Sequence, residues 1–249
     1  VRLRVFDFTL PDTTHTKTSY NVWVDDYWHK TSNNDQRRAV FDLYLENFRR
    51  HRVTPTMAQV YSPWMWSFVG EEVTIHTGAF DIAMARYLDE FGFTSFELMN
   101  PPDLLGPYWR YSEGYNRMLT KVIRAIMAHL REKGWAEKTY FWWYDEPQPV
   151  HYPKLIPEMR AAQLGAADLP RLSTVQPEAE LYGHIDIWVP LATTWRWAIN
   201  RVRARQALNE ELWWYICCWP AYPCANYLID HPAMNHRIRF WMAEGQGLA

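Results

Sequence analysis

Apolar side chains recur along this chain in two rhythms that take turns. Residues 113–133 carry Tyr115, Leu119, Val122, Ile126 and Leu130 at steps of three and four, one face of a helix, and Gly134 ends the run. The same spacing predicts helices over residues 35–51, 80–91, 152–167, 195–208 and 232–244. Between them lie short apolar runs that predict strands at residues 19–23, 54–60, 95–99, 139–144, 171–174, 185–189 and 211–216. Residues 1–10 alternate apolar with other side chains, which predicts a half-buried strand outside this series, and Pro11 opens a Thr-rich linker. Residues 61–79 form an aromatic loop with a small hairpin predicted at 73–75, and residues 100–111 form a Pro-rich loop.

Strands separated by helices predict parallel βαβ units, an α/β fold. The count is about seven barrel strands, so the expectation is a (β/α)8 TIM-type barrel truncated before its eighth strand. Residues 1–11 are expected to be the tail of a preceding domain or a linker, and residues 12–249 the barrel. A doubly wound open sheet is the rival, but no Gly-rich turn follows the first strand to cradle a nucleotide. The chain begins with Val1 rather than Met, which predicts a fragment or processed piece. A signal sequence would then lie outside it, and a secreted or periplasmic location is compatible with the chain.

Charge narrows the partners. A net charge of −2, with acidic and basic residues intermixed, gives no basic stripe for nucleic acid and no polybasic run for a membrane surface. No apolar stretch is long enough to span a bilayer. Cys217, Cys218 and Cys224 are the only cysteines, too few for a disulfide framework and without a His or fourth Cys at zinc-finger spacing. No metal or organic cofactor is implied. The 15 Trp, 15 Tyr and 11 Phe stand out. Most must build the core, but an indole offers a flat face and an N–H, which match the C–H face and hydroxyl rim of a sugar.

The chemistry concentrates in Phe141-Trp142-Trp143-Tyr144-Asp145-Glu146-Pro147. Two carboxylates end an apolar strand, the end that faces the active site in an α/β barrel. Pro147 cannot extend a sheet, and it biases Glu146 toward an extended backbone. Apolar rings and a like charge would make one acid resist ionising, as a general acid must. A bare Asp-Glu-Pro also fits a solvated turn that caps a helix; its place after this strand favours catalysis.

Tyr144-Asp145-Glu146-Pro147 after an aromatic strand resembles the motif of glycoside hydrolase family 123 and its wider relatives. Further matches follow in Trp214-Tyr215-Ile216-Cys217-Cys218, Tyr222-Pro223, Asn226-Tyr227-Leu228-Ile229-Asp230, Pro232, His236-Arg237 and Trp241. Ile185-Asp186-Ile187-Trp188-Val189-Pro190 and Phe8-Thr9-Leu10-Pro11 are similar as well. The resemblance covers most of the chain. It implies a (β/α)8 barrel after a β-sandwich domain, and retaining β-N-acetylgalactosaminidase activity with substrate assistance. Asp145 would hold the acetamido N–H, and Glu146 would protonate the leaving oxygen and then activate water.

Spacing is compatible with that scheme. Ordinary retaining glycosidases hold their carboxyl groups about 5–5.5 Å apart on opposite sides of the bond, whereas sequence neighbours have Cα atoms only about 3.8 Å apart. Tyr144, Trp188 and Tyr215 at strand ends, Asn226 and Tyr227 in the following loop, Glu97 within a strand, and Trp64 and Trp66 as a sugar platform are the substrate-binding candidates; each also suits plain packing. His236 and Arg237 sit on a helix and read as structural. The expected partner is a glycan. The rivals are a glycosidase for another sugar and a sugar-binding barrel without turnover.

Overall fold

The computed structural model describes residues 2–9, 11–12, 16–56, 60–98 and 102–248, and of residues 195 and 196 the backbone. They divide into two compact units: Val1–Pro63 with Gly78–Phe96, and Trp64–Thr77 with Glu97–Ala249.

The first unit is mainly helical. A short helix α1 (Asp26–His29) starts where the Asp25 carboxylate accepts the Trp28 N–H, and α2 (Asn34–Arg50) starts where Asn33 accepts the Gln36 N–H at 3.0 Å. Helix α3 (Gly78–Met84) runs into a π-helical turn over Ala85–Glu90, closed by the Phe91 N–H on Arg86 O at 2.8 Å. The helix expected over residues 80–91 is therefore present but widens at its end. Phe41, Leu45, Phe80, Met84, Tyr87 and Leu88 form the buried face.

Among the described residues of this unit, no strand forms at three of the predicted positions. Residues 2–9 are exposed and make no ladder. Residues 19–23 and 54–56 meet only in one parallel bridge between Tyr20 and Pro55, with Tyr20 N–H on Thr54 O at 3.2 Å and Thr56 N–H on Tyr20 O at 3.0 Å. Residues 57–59 of the predicted second strand lie outside the described residues, as do residues 99–101 around the end of the third. Alternation alone does not make a strand; the backbone needs a partner along its whole length.

The second unit opens with a hairpin, β1 (Met65–Val69) and β2 (Glu72–His76), where an aromatic loop with a smaller hairpin was expected. Lys121 ties it to the long helix by donating to Glu71 O at 3.0 Å and to its carboxylate at 3.1 Å. Next come β3 (Phe96–Glu97), a second small hairpin of β4 (Leu104–Leu105) and β5 (Tyr108–Trp109), and α4 (Glu113–Lys133). Ser112 caps α4 by accepting the Tyr115 N–H at 3.1 Å, and Gly134 closes it in the left-handed conformation. At the first turn of α4 a Cβ on Gly114 would lie 2.2 Å from the Tyr108 ring, so only glycine lets the helix seat on the hairpin.

The central sheet follows: β6 (Thr139–Tyr144), α5 (Tyr152–Gly165), β7 (Arg171–Ser173), β8 (Ile187–Trp188), α6 (Trp195–Gln206), β9 (Glu211–Leu212) and finally α7 (Ala233–Gly245). Its five strands lie in the order β3-β6-β7-β8-β9, and every pairing from β6 to β9 is parallel. The α/β class expected from the alternating rhythms is what the chain adopts. A closed barrel is not: among the described residues the sheet keeps two edges, β3 and β9.

Strand β6 is apolar throughout because both its faces are covered. Tyr140 joins Leu172, Ile187, Val189 and Trp213 in one buried cluster, with Trp142 and Tyr215 half-buried against it. Phe141 and Trp143 take the alternate positions, and the Trp143 indole N–H reaches Glu158 Oε2 on α5 at 3.0 Å. Full burial of each such ring contributes roughly 1.5–3 kcal/mol. This packing holds the C-terminal end of β6 in place.

Candidate active site

The register between β6 and β7 slips just before the acids. Phe141 pairs with Arg171 and Trp142 with Leu172, but Ser173 pairs with Tyr144, so Trp143 is the extra residue of a bulge. Ser173 Oγ then donates to Tyr144 O at 2.9 Å and fixes the strand end. The bulge turns the chain so that Asp145 and Glu146 leave the sheet together.

Thr174, one residue past β7, holds both. Its hydroxyl donates to Asp145 Oδ1 at 2.7 Å and accepts the Glu146 backbone N–H at 2.7 Å. Glu146 itself is left-handed, with φ 46°. The extended backbone expected before Pro147 is not found, because this hydrogen bond and buried Pro147 turn the residue over. A non-glycine residue in that region stores strain on the order of 1–3 kcal/mol, and such strain gathers at functional sites.

The Glu146 carboxylate meets a second element. Tyr215, three residues beyond β9, donates its hydroxyl to Glu146 Oε1. Its backbone is fixed on both sides: its N–H donates to Pro190 O at 3.2 Å, and its carbonyl accepts the Ala192 N–H at 2.9 Å. Burial, reinforced by the hydrogen bond to Glu146 and the charges of Glu146 and Asp145, pushes the Tyr215 phenol far above its usual range. The phenol therefore stays a donor at any physiological pH. Asp145 and Glu146 are themselves exposed rather than sunk among the aromatic rings, and hydrogen bonds are what hold them.

The structure thus brings Tyr144, Asp145, Glu146 and Tyr215 together. Tyr144 is half-buried, with its ring 5.4 Å from that of His151. The other candidates are placed differently. Trp188 is fully buried and its indole N–H donates to Glu210 Oε2 at 2.6 Å, so the ring belongs to the core and shows no face to a sugar. Trp64 is 5% exposed and also core, while Trp66 is half-buried in β1 opposite Ile75. Glu97 is 1% exposed, and burial raises its carboxyl to about 8.

Asn226 is buried as well. Its amide N–H groups donate to Cys217 O at 3.0 Å and Pro220 O at 2.9 Å, and its carbonyl accepts the Tyr227 N–H at 2.6 Å. It braces the loop after Tyr215 instead of reading a hydroxyl. Tyr227 packs its ring on His236 and Phe240 at 6.2 and 6.1 Å. Thr174 is the residue that sequence reasoning missed. The signal was present: a hydroxyl at the end of the strand next to the acids.

Among the described residues no three His, Cys, Asp or Glu side chains gather to hold a metal ion, and no helix is long and apolar enough to cross a membrane. The groups present can exchange a proton at Glu146, accept an N–H at Asp145 and donate an O–H from Tyr215.

A family model described as "Glycoside hydrolase 123, catalytic domain" matches residues 38–249. No curated protein matches the chain. Among solved structures, the chain is similar to a family 123 glycoside hydrolase from Clostridium perfringens, described in a study of glycolipid glycan hydrolysis. The TM-score is 0.61 and the identity 13%, with 90% of this chain and 46% of that one covered. At that identity the likeness concerns the fold alone, and the chain spans somewhat under half the length of its structural relative.

Proposed function

The chain belongs to glycoside hydrolase family 123, and from that premise we propose that it removes terminal β-linked N-acetylhexosamine, N-acetylgalactosamine first of all, with retention and with the substrate's own 2-acetamido group as nucleophile. The observation that carries the reading is the pair Asp145–Glu146, held by one hydroxyl at one strand end. Two carboxylates on neighbouring residues cannot readily flank an anomeric carbon as opposed acid and nucleophile, which in retaining enzymes sit about 5–5.5 Å apart. They can work from one side if the attack comes from the substrate.

Glu146 gives its proton to the leaving oxygen as the acetamido oxygen attacks C1 and the glycosidic bond breaks. Asp145 accepts the acetamido N–H and balances the positive charge of the oxazolinium-like intermediate. Tyr215 turns its O–H from Glu146 to the acetamido oxygen, which holds the nucleophile in line. Glu146, now a carboxylate, takes a proton from water, and the hydroxide reopens the ring at C1 from the side of the departed group. For the complete domain we assign a (β/α)8 barrel; parallel strands with helices between them support it. Because the similar C. perfringens enzyme was studied for glycolipid glycan hydrolysis, glycolipid glycans are the natural substrate class to assay first.

A panel of aryl β-glycosides tests the proposal. The N-acetylgalactosaminide should turn over, and the galactoside lacking the acetamido group should not. A thiazoline analogue of the intermediate should bind at least about a hundredfold more tightly than the free sugar. A covalent carboxylate adduct with a fluorosugar would sink substrate assistance. Binding of the sugar without hydrolysis of any glycoside would leave a sugar-binding protein instead.

A further inference from the structure

The loop that begins at Tyr215 carries two thiols that the glycosidase reading does not use. Cys217 and Cys218 are adjacent, exposed and free, with their sulfurs 3.7 Å apart. Cys224, also exposed and free, belongs to the same loop. The pair is wired to the acids on both sides. Cys217 O is the acceptor of the buried Asn226 amide, the brace of the loop. Tyr215, two residues upstream, has its hydroxyl on Glu146. The charges of Cys217 and Glu146 both act on Tyr215, and those of Cys217 and Glu146 both act on Cys218.

We propose that Cys217 and Cys218 form a dithiol modification site that closes to a vicinal disulfide by exchange with a small-molecule disulfide, and that closure draws Tyr215 off Glu146. One cysteine thiolate attacks a sulfur of the small disulfide, forming a mixed disulfide and releasing one small thiolate. The neighbouring cysteine loses its proton to water and attacks the protein sulfur of that mixed disulfide, releasing the second small thiolate. Two protein thiols are oxidised and one small disulfide is reduced to two thiols, so the electrons balance. Either sulfur can open the exchange, because the two thiols share one contact in which either can be the donor.

The product is an eight-membered ring. Ordinary disulfides join Cα atoms about 4.4–6.8 Å apart, whereas sequence neighbours are fixed at about 3.8 Å. Strain of that kind makes a disulfide easy to reduce, the property of a reversible switch and not of a staple. Bringing the sulfurs to bonding distance must rotate the Cys217–Cys218 peptide, and that peptide carries the carbonyl on which Asn226 braces the loop. Only Ile216 separates that peptide from Tyr215, so closure pulls against the two backbone hydrogen bonds that hold Tyr215 to Pro190 and Ala192. The effect on turnover rests on the proposed glycosidase chemistry; the thiol chemistry and the movement of Tyr215 do not.

The test treats the protein with glutathione disulfide and follows two readouts besides activity. By mass and alkylation, Cys217 and Cys218 should lose two hydrogens together and resist alkylation while Cys224 still reacts. The 13Cζ resonance of Tyr215, identified by its loss in Tyr215→Phe, should shift and return on reduction. Turnover of the aryl N-acetylgalactosaminide should fall by about tenfold or more and recover with dithiothreitol, because a displaced Tyr215 no longer holds the acetamido oxygen in line. Cys218→Ser should keep the reduced-state rate and lose the response. Separate alkylation of both cysteines, persistent mixed disulfides, or a Tyr215 resonance indifferent to closure would overturn the proposal. Inactivity in both redox states would overturn the glycosidase reading while the two chemical readouts still decide the switch.

Discussion

Glu146 and Glu158 belong to the same strand–helix unit and sit in opposite surroundings. Glu158 is fully buried on α5. Its Oε1 accepts Arg110 Nε at 2.9 Å, and its Oε2 accepts Arg110 Nη2 at 2.9 Å and the Trp143 indole at 3.0 Å. Glu146 stands exposed at the mouth of β6, and its one described side-chain partner is the rotatable hydroxyl of Tyr215. A carboxylate saturated by fixed N–H donors cannot turn to a new partner without breaking the packing around it. One held by a single O–H can, because that O–H swings away at little cost. The floor of the strand is built for permanence and its mouth for exchange.

Replacing the two glutamates separates these roles. Glu146→Gln should lower turnover by about 10²–10⁴, less for substrates with a good leaving group, and leave thermal stability nearly unchanged. Equal losses for all leaving groups would remove Glu146 as the acid. Glu158→Ala should do the reverse. It strands the half-buried Arg110 guanidinium and the buried Trp143 N–H, so unfolding in urea should show a loss of about 3–5 kcal/mol, with activity per folded molecule largely kept. If it abolishes turnover without loss of stability, the division between floor and mouth is wrong.

Glu97 sharpens the comparison, because burial raises its carboxyl. Its carboxyl lies at about 8 in the folded chain against 4.5 as its ordinary value. Below the lower value both states are protonated and the contribution to stability is complete. As pH rises from there the unfolded chain ionises while the folded one does not, so stability falls until the folded group also ionises near the upper value. The loss is on the order of 5 kcal/mol across that window. Urea unfolding of wild type and Glu97→Gln across it should show the slope removed in the variant; parallel curves would refute a protonated Glu97. The smallest effect should come from Thr174→Val, about 1–3 kcal/mol from an orphaned Glu146 N–H and a released Asp145. A double-mutant cycle with Asp145→Asn measures how much passes through the acid.

What the sequence made legible follows from the range of the forces involved. Helix α4 was bounded to the residue, because its spacing and its terminal Gly134 are local signals, and β6 likewise, because an apolar run between polar ends needs no partner to be seen. Asp145 and Glu146 were singled out for the same reason. Trp188 and Tyr215 both stand at the ends of predicted strands and look alike in sequence, yet one ring is core and the other meets an acid. A shift of one residue in register decides which face a side chain takes, and register is set by pairing with distant strands. The bulge at Trp143, the left-handed Glu146 and the grip of Thr174 all depend on β7, 27 residues beyond β6. The alternation of residues 2–9 is local too, and among the described residues no strand pairs with it.

The left-handed backbone at position 146 bears on which sequences can ever occupy it. In a saturation library the site is sorted twice, by unrelated criteria. The proposed proton transfer admits Glu and, with a shorter reach, Asp. Backbone geometry independently favours Gly, Asn and Asp and penalises β-branched residues. The two sorts barely overlap, so the substitutions that accumulate best in a cell are among those that do no chemistry. A lineage drifting at this codon under selection for abundance alone would pass first through well-folded, silent proteins, and Glu persists there only while its reaction is needed.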